Sequence, residues 1–181
     1  MHGGRWFRES KNTHSAIKVR QWAGFGFFAV SIEYRLIGTP APACYQDVLC
    51  AIRWLYAHAG RYPIDTRRIF LIGQSAGGHL VSLAATLGEG SFKRTGVWED
   101  QPHDFRAAIC VAAPYDLNKL DWGNGWTPPG EEPVLARKLA SPIHHVSAKM
   151  KPVLVIHSDD DHSVPVRQAL DMVEAVKKAG A

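Results

Sequence analysis

The stretch Gly73-Gln74-Ser75-Ala76-Gly77-Gly78 places a hydroxyl where covalent chemistry can be done. It follows the apolar run Ile69-Phe70-Leu71-Ile72 and opens an amphipathic run from His79 to Leu87, so the order is buried strand, tight turn, helix. Glycines at 73 and 77 remove the Cβ atoms that would clash where a strand turns sharply into a helix. The turn then holds the Ser75 hydroxyl out at the helix N-terminus. There the helix dipole and the N–H of Ala76 favour the negative charge of an acyl-transfer intermediate. Ser75 therefore reads as a nucleophile; the plain alternative is a Gly/Ser-rich turn with no chemistry.

A serine nucleophile needs a base for its proton, a third group to orient that base, and donors where an oxyanion forms. The sequence offers partners for some of these. Met1-His2-Gly3-Gly4-Arg5-Trp6 carries two consecutive glycines, which belong where a backbone must approach something closely. Asp116 ends one apolar run, and Asp159-Asp160-Asp161 follows another that ends at His157. Three adjacent carboxylates are otherwise a solvated loop or a weak cation site. Neither H-E-x-x-H nor a cysteine-pair spacing occurs, so no metal and no cofactor is expected.

The elements that must position these residues follow from periodicity. Thr13 can cap a helix running to Trp22, with Gly24 as its stop. Residues 25–34 form a nearly continuous apolar run, the pattern of a strand covered on both faces. A loop over residues 39–43 precedes a helix over 45–59 (Val48, Ile52, Leu55, Ala59), stopped by Gly60. After the helix behind Ser75 comes a polar loop, residues 88–104. Strands are expected at 106–113 and 153–157, and a closing helix at 166–178. Strands alternating with helices give a doubly wound α/β fold with a mostly parallel sheet and flanking helices. Ser75, Asp116 and the acidic cluster then share the carboxyl end of that sheet. Residues 117–151, rich in Trp, Pro and Gly, read as a cap over the site, or else as a surface excursion with a short helix near 134–139.

The chain has 181 residues, 46% of them apolar and 21% charged, which suits one domain over 1–181. Lys and Arg outnumber Asp and Glu by 21 to 17, but they are scattered, so nucleic acid is not expected as a partner. No apolar run has membrane-spanning length. Cys44, Cys50 and Cys110 cannot all pair with one another, which fits a reducing, cytoplasmic setting.

The chain resembles the α/β-hydrolase superfamily, in the carboxylesterase branch similar to hormone-sensitive lipase and small bacterial esterases. The resemblance rests on His2-Gly3-Gly4 with Trp6, Tyr34-Arg35-Leu36, residues 65–68, Gly73 to Leu80, Ser141-Pro142-Ile143, and His157-Ser158-Asp159-Asp160-Asp161 with Val164-Pro165. It implies a serine carboxylesterase for small to medium acyl esters. Ser75 is then the nucleophile and Asp161 the triad acid, with Asp116 as runner-up. Backbone amides of Gly3, Gly4, Arg5 and Ala76 form the oxyanion hole. Arg5 stands where the family often has glycine, which puts its side chain near the acyl pocket. The family's catalytic histidine lies after one more strand, and none of the nine histidines matches that position. The family also places strands before the position of His2, so the chain reads as a fragment or truncated gene product. An arylformamidase on the same scaffold stays open, and so does a non-catalytic protein binding a small apolar ligand under the cap.

Overall fold

A computed structural model of the chain describes residues 1–13, 18–36 and 41–181. The elements are α1 (Val19–Gly24), α2 (Ala43–Ala57), β1 (Phe70–Gln74), α3 (Ala76–Thr86), β2 (Ala107–Val111), α4 (Pro133–Leu139), β3 (Val153–Ile156) and α5 (Arg167–Ala179), joined by short 3₁₀ turns. The strands lie in the order β1-β2-β3, all parallel, in a register that sets Gly73 beside Cys110 and Cys110 beside Val155. Each parallel step needs a crossover, and α3 supplies the one from β1 to β2. The expected α/β class, a parallel sheet with flanking helices, is the one observed.

Strand side chains alternate between faces. Leu71, Ala108 and Cys110 are buried, and Val153 and Val155 pack against the same core. That core also takes Leu80, Val81, Leu83 and Ala84 of α3, Tyr45, Val48, Leu49 and Ile52 of α2, and Ala169 and Met172 of α5. The apolar residues of α2 recur at helical spacing because one face of the helix meets α3. On the opposite sheet face, Phe70, Leu154 and Ile156 keep 50%, 54% and 47% of their surface in solvent. Covalent periodicity thus sorts the strands into one covered and one open apolar face. α4 starts on Glu132, whose carboxylate accepts from the N–H groups of Val134 (3.1 Å) and Leu135 (2.7 Å). Gly180, left-handed at φ 69°, ends α5.

One expectation is overturned. Residues 25–34 form no strand, and Phe25, Phe27, Phe28 and Val30 are exposed. A strand requires a neighbour for its backbone groups. The outer edge of β1 instead pairs with Met1, whose N-terminus donates to Ile72 O (2.6 Å) and whose carbonyl accepts from Gln74 N–H (3.3 Å). Residues Met1 to Gly3 therefore lie between β1 and Tyr34, which reaches inward to donate its hydroxyl to His2 O (3.0 Å) and Gly3 O (2.8 Å). Apolar composition alone does not make a ladder.

Smaller differences concern helix ends. Residues 14–17 of the first expected helix lie outside the described residues, as do residues 39 and 40 of the expected loop. Thr13 caps no described helix; its hydroxyl donates to Ser10 O at 2.7 Å. Among the described residues no helix is long and apolar enough to cross a membrane. The segment after β2 sends Leu117, Leu120, Trp126 and Ala140 into the main core, so much of the expected cap is anchored in the fold.

The open sheet face should bind a hydrophobic dye. Phe70→Lys with Leu154→Lys is expected to lower anilinonaphthalene sulfonate emission strongly, while urea denaturation shifts by no more than about 0.5 kcal/mol. Unchanged emission would show the dye binding elsewhere.

Candidate active site

Ser75 stands between β1 and α3 with φ 51° and ψ −119°, a left-handed conformation that side chains other than glycine rarely adopt. Three glycines make that turn possible. A Cβ on Gly73 would fall 2.2 Å from Gly77 O, one on Gly77 would fall 2.4 Å from His2 O, and one on Gly78 would fall 2.8 Å from the Ala113 methyl. None of these neighbours is a flexible side chain. The turn is tied at both ends, since Ser75 N–H donates to Val111 O (2.8 Å) and His79 N–H donates to Ser75 O (2.9 Å). Ser75 stays partly exposed at the N-terminus of α3.

The loop of residues 2–6 lies against that N-terminus through the contact of Gly77 with the Met1 and His2 carbonyls. Gly4, Arg5 and Trp6 are all left-handed, at φ 98°, 55° and 65°. Gly4 O accepts from Phe7 and Arg8 N–H at 3.2 Å each, closing the turn. A Cβ on Gly4 would lie 2.1 Å from Arg8 O, so position 4 requires glycine. Among the described residues no acceptor takes the N–H groups of Gly4, Arg5 or Ala76. His2 is fully buried, stacked on Tyr34 (4.1 Å between ring centres, 7°), with Nδ1 2.9 Å from Gly3 O. Its ring is committed to holding the loop. The Arg5 guanidinium lies over the Trp122 ring at 4.9 Å.

Beneath the loop, Trp6 meets His79 edge-on (5.1 Å) and also Trp126 (5.8 Å), while His79 meets Trp126 at 4.9 Å. His79 Nε2 is 2.7 Å from Ala140 O, so that nitrogen carries the proton and donates it. Burial pushes the imidazole down to about 4, which keeps it neutral. His79 is a structural residue of the turn.

Asp161 follows β3. Its Oδ1 accepts from Ser163 and Val164 N–H at 2.8 Å each, and its Oδ2 lies 3.6 Å from His157 Nε2. His157 Nε2 is 2.7 Å from Val164 O and spends its proton there. Asp159 and Asp160 are exposed. Strand order separates Ser75 from the acid loop by two strand spacings, roughly 10 Å. Asp116 follows β2 and is enclosed differently. Its Oδ1 accepts from Asn118 N–H (3.2 Å), Lys119 Nζ is 3.7 Å away and His144 Nε2 3.9 Å. Gln168 of α5 accepts from Tyr115 and Asp116 N–H (2.8 and 2.7 Å) and donates to Asp116 O (2.9 Å).

The fold thus gathers Ser75, Ala76, Gly4 and Arg5 at one strand end, with Asp161 on the same carboxyl rim. The Gly3 carbonyl accepts from the Tyr34 hydroxyl. Among the described residues no imidazole hydrogen-bonds the Ser75 hydroxyl, and no cluster of His, Cys, Asp and Glu is placed to hold a metal ion. Sequence reasoning placed Trp122 and Trp126 in the expected cap without assigning them a contact, and it did not single out Gln168. Three tryptophans beside glycines, Trp6, Trp122 and Trp126, were the available signal.

Comparison with known proteins gives one family. The BD-FAE family model matches residues 1–176. LipM of Mycobacterium tuberculosis, named a "probable carboxylic ester hydrolase", is 30% identical over 97% of this chain, which spans 43% of LipM's length. A truncated carbohydrate esterase from gut microbiota superposes with a TM-score of 0.87 at 25% identity, covering 99% of this chain and 72% of that one. An esterase from Thermogutta terrifontis, solved with propionate bound, gives 0.75 at 26% identity over 99% of this chain and 66% of its own.

Two outcomes follow from the geometry. Gly77→Ala should push the His2 carbonyl away and cost about 1–3 kcal/mol in urea denaturation; a neutral effect would show that the loop does not bear on α3. For His79 the unfolded imidazole titrates near 6.5 and the folded one at about 4. Its contribution is complete above pH 6.5 and is lost as pH falls toward 4, on the order of 3 kcal/mol. His79→Gln, which keeps a donor for Ala140 O, should flatten the pH dependence of the urea midpoint in that window.

Proposed function

The chain belongs to the BD-FAE family, and from that premise we propose that it is a serine carboxylesterase acting on small to medium acyl esters. The observation that carries the reading is the left-handed Ser75 at the head of α3, with the unclaimed N–H of Ala76 next to it and the loop that carries the unclaimed N–H groups of Gly4 and Arg5 packed on Gly77. Ser75 Oγ attacks the ester carbonyl while an imidazole takes its proton. The amides of Gly4, Arg5 and Ala76 hold the oxyanion, each worth about 2.7–4 kcal/mol at the transition state. The C–O bond to the alcohol then breaks, the imidazolium protonates the leaving oxygen, and water releases the acid from the acyl-serine.

Asp161 orients that imidazole, which comes from a histidine outside the described residues. Its Oδ1 is fixed by two backbone amides, and its Oδ2 remains to accept from a ring N–H. Residues 117–151 act as a cap insertion within one hydrolase domain over 1–181. A small acyl group fits the Thermogutta terrifontis esterase, solved with propionate and again with butyrate bound. No cofactor enters this scheme. A second reading, a non-catalytic protein holding a small apolar ligand, draws on the lack of any imidazole at Ser75 among the described residues.

The test is intact mass after exposure to a fluorophosphonate, which modifies an activated serine. One adduct on the wild type and none on Ser75→Ala is the expected outcome. A folded wild type that stays unmodified would mean a site assembled but unarmed, leaving a fragment of an esterase or a ligand-binding protein.

A further inference from the structure

The acid loop and the oxyanion loop come from opposite ends of the chain and share no element of secondary structure, yet one side chain touches both. Trp122 presents its ring to the Arg5 guanidinium (4.9 Å) and to Trp6 (5.5 Å, 42°). Its indole Nε1–H donates to Ser163 O at 3.0 Å. Ser163 is one of the two residues whose N–H groups hold Asp161 Oδ1. The chain of contacts therefore runs Arg5 and Trp6, Trp122, Ser163, Asp161. Trp122 is itself fixed from behind, because the 3₁₀ turn Gly123–Trp126 follows it and Trp126 is buried against Trp6 and His79.

We propose that Trp122 is a positioning residue that sets the oxyanion donors and the Asp161 carboxylate relative to one another. The proposal rests on the serine-esterase reading for its catalytic meaning. The two halves of the indole have separate duties. The ring face bears on Arg5 and Trp6, whose backbone is left-handed and needs support from outside. The N–H bears on the acid loop, where it satisfies a carbonyl directly beside the Asp161 turn. Phenylalanine keeps the first duty and drops the second; alanine drops both.

The experiment is amide exchange followed by NMR on the full chain. In Trp122→Phe the Ser163 and Val164 amides are expected to exchange roughly fivefold faster, the effect of one lost hydrogen bond of about 1 kcal/mol. The Phe7 and Arg8 amides, bonded to Gly4 O, should not change. In Trp122→Ala both sets accelerate, and labelling of Ser75 by a fluorophosphonate slows on the order of tenfold. Leu135→Ala, on the exposed side of α4, serves as the control and leaves both sets unchanged. Equal acceleration of every segment in Trp122→Phe, or no acceleration at Ser163 and Val164, overturns the proposal. Because exchange needs no chemistry, a wild type that takes no label shows an unarmed site, while the exchange pattern still decides the role of Trp122.

Discussion

Backbone packed directly on backbone at Gly77 is the contact on which the site depends. The α-carbon of residue 77 faces the carbonyls of Met1 and His2, and the α-carbon of residue 73 faces the carbonyl of residue 77. No side chain fits at either place. Because both are glycine, the N-terminus of α3 sits against the end of β1 on one side and against the residue 2–6 loop on the other. Two remote parts of the chain thereby meet at Gly77, two residues from Ser75. The cost is a left-handed serine, on the order of 1–3 kcal/mol, offset by hydrogen bonds on both its backbone groups.

The loop that meets Gly77 is itself strained at Arg5 and Trp6, which take positive φ without being glycine, so something must hold it from below. Trp6, His79 and Trp126 form that support, and the Ala140 carbonyl fixes the ring of His79 by accepting its Nε2 proton. The segment after β2 supplies Trp126 and Ala140. What reads in sequence as a cap is therefore also the floor of the residue 2–6 loop. Its lack of a simple period follows from this duty, because it reaches the core through isolated anchors (Leu117, Leu120, Trp126, Ala140) rather than along one helical face.

Local signals were legible where short-range physics decides the outcome. The strand–turn–helix around Ser75 could be read because glycine spacing and apolar periodicity agree there. The helices over 43–57 and 167–179 were placed to within about two residues by the same means. Residues 25–34 show the limit of such signals: their composition is that of a buried strand, but strand formation is decided by a neighbour, and the edge of β1 is occupied by Met1. The role of Asp161 came from the resemblance, since three adjacent carboxylates cannot be told apart by spacing. The contacts of Trp122 were not readable at all, because they join residues more than forty apart in sequence on one side and more than a hundred on the other.

Two carboxylates stand on the rim, and their surroundings favour different duties. Asp116 lies on the middle strand's exit, closer in strand order to Ser75 than Asp161 is. A cation is already at hand, since Lys119 bridges Asp116 and Asp171, and Gln168 locks the backbone of residue 116 onto α5. Such a carboxylate is part of the frame. Asp161 is held by neutral amides alone on one oxygen, so its charge is oriented without being cancelled. Two strand spacings, roughly 10 Å, separate its loop from Ser75. An imidazole oriented by Asp116 would have to compete with Lys119 for its acceptor. On the esterase reading Asp161 is favoured because, among the described residues, no lysine or arginine pairs with its carboxylate, and the His157 nitrogen 3.6 Å away is turned to Val164 O.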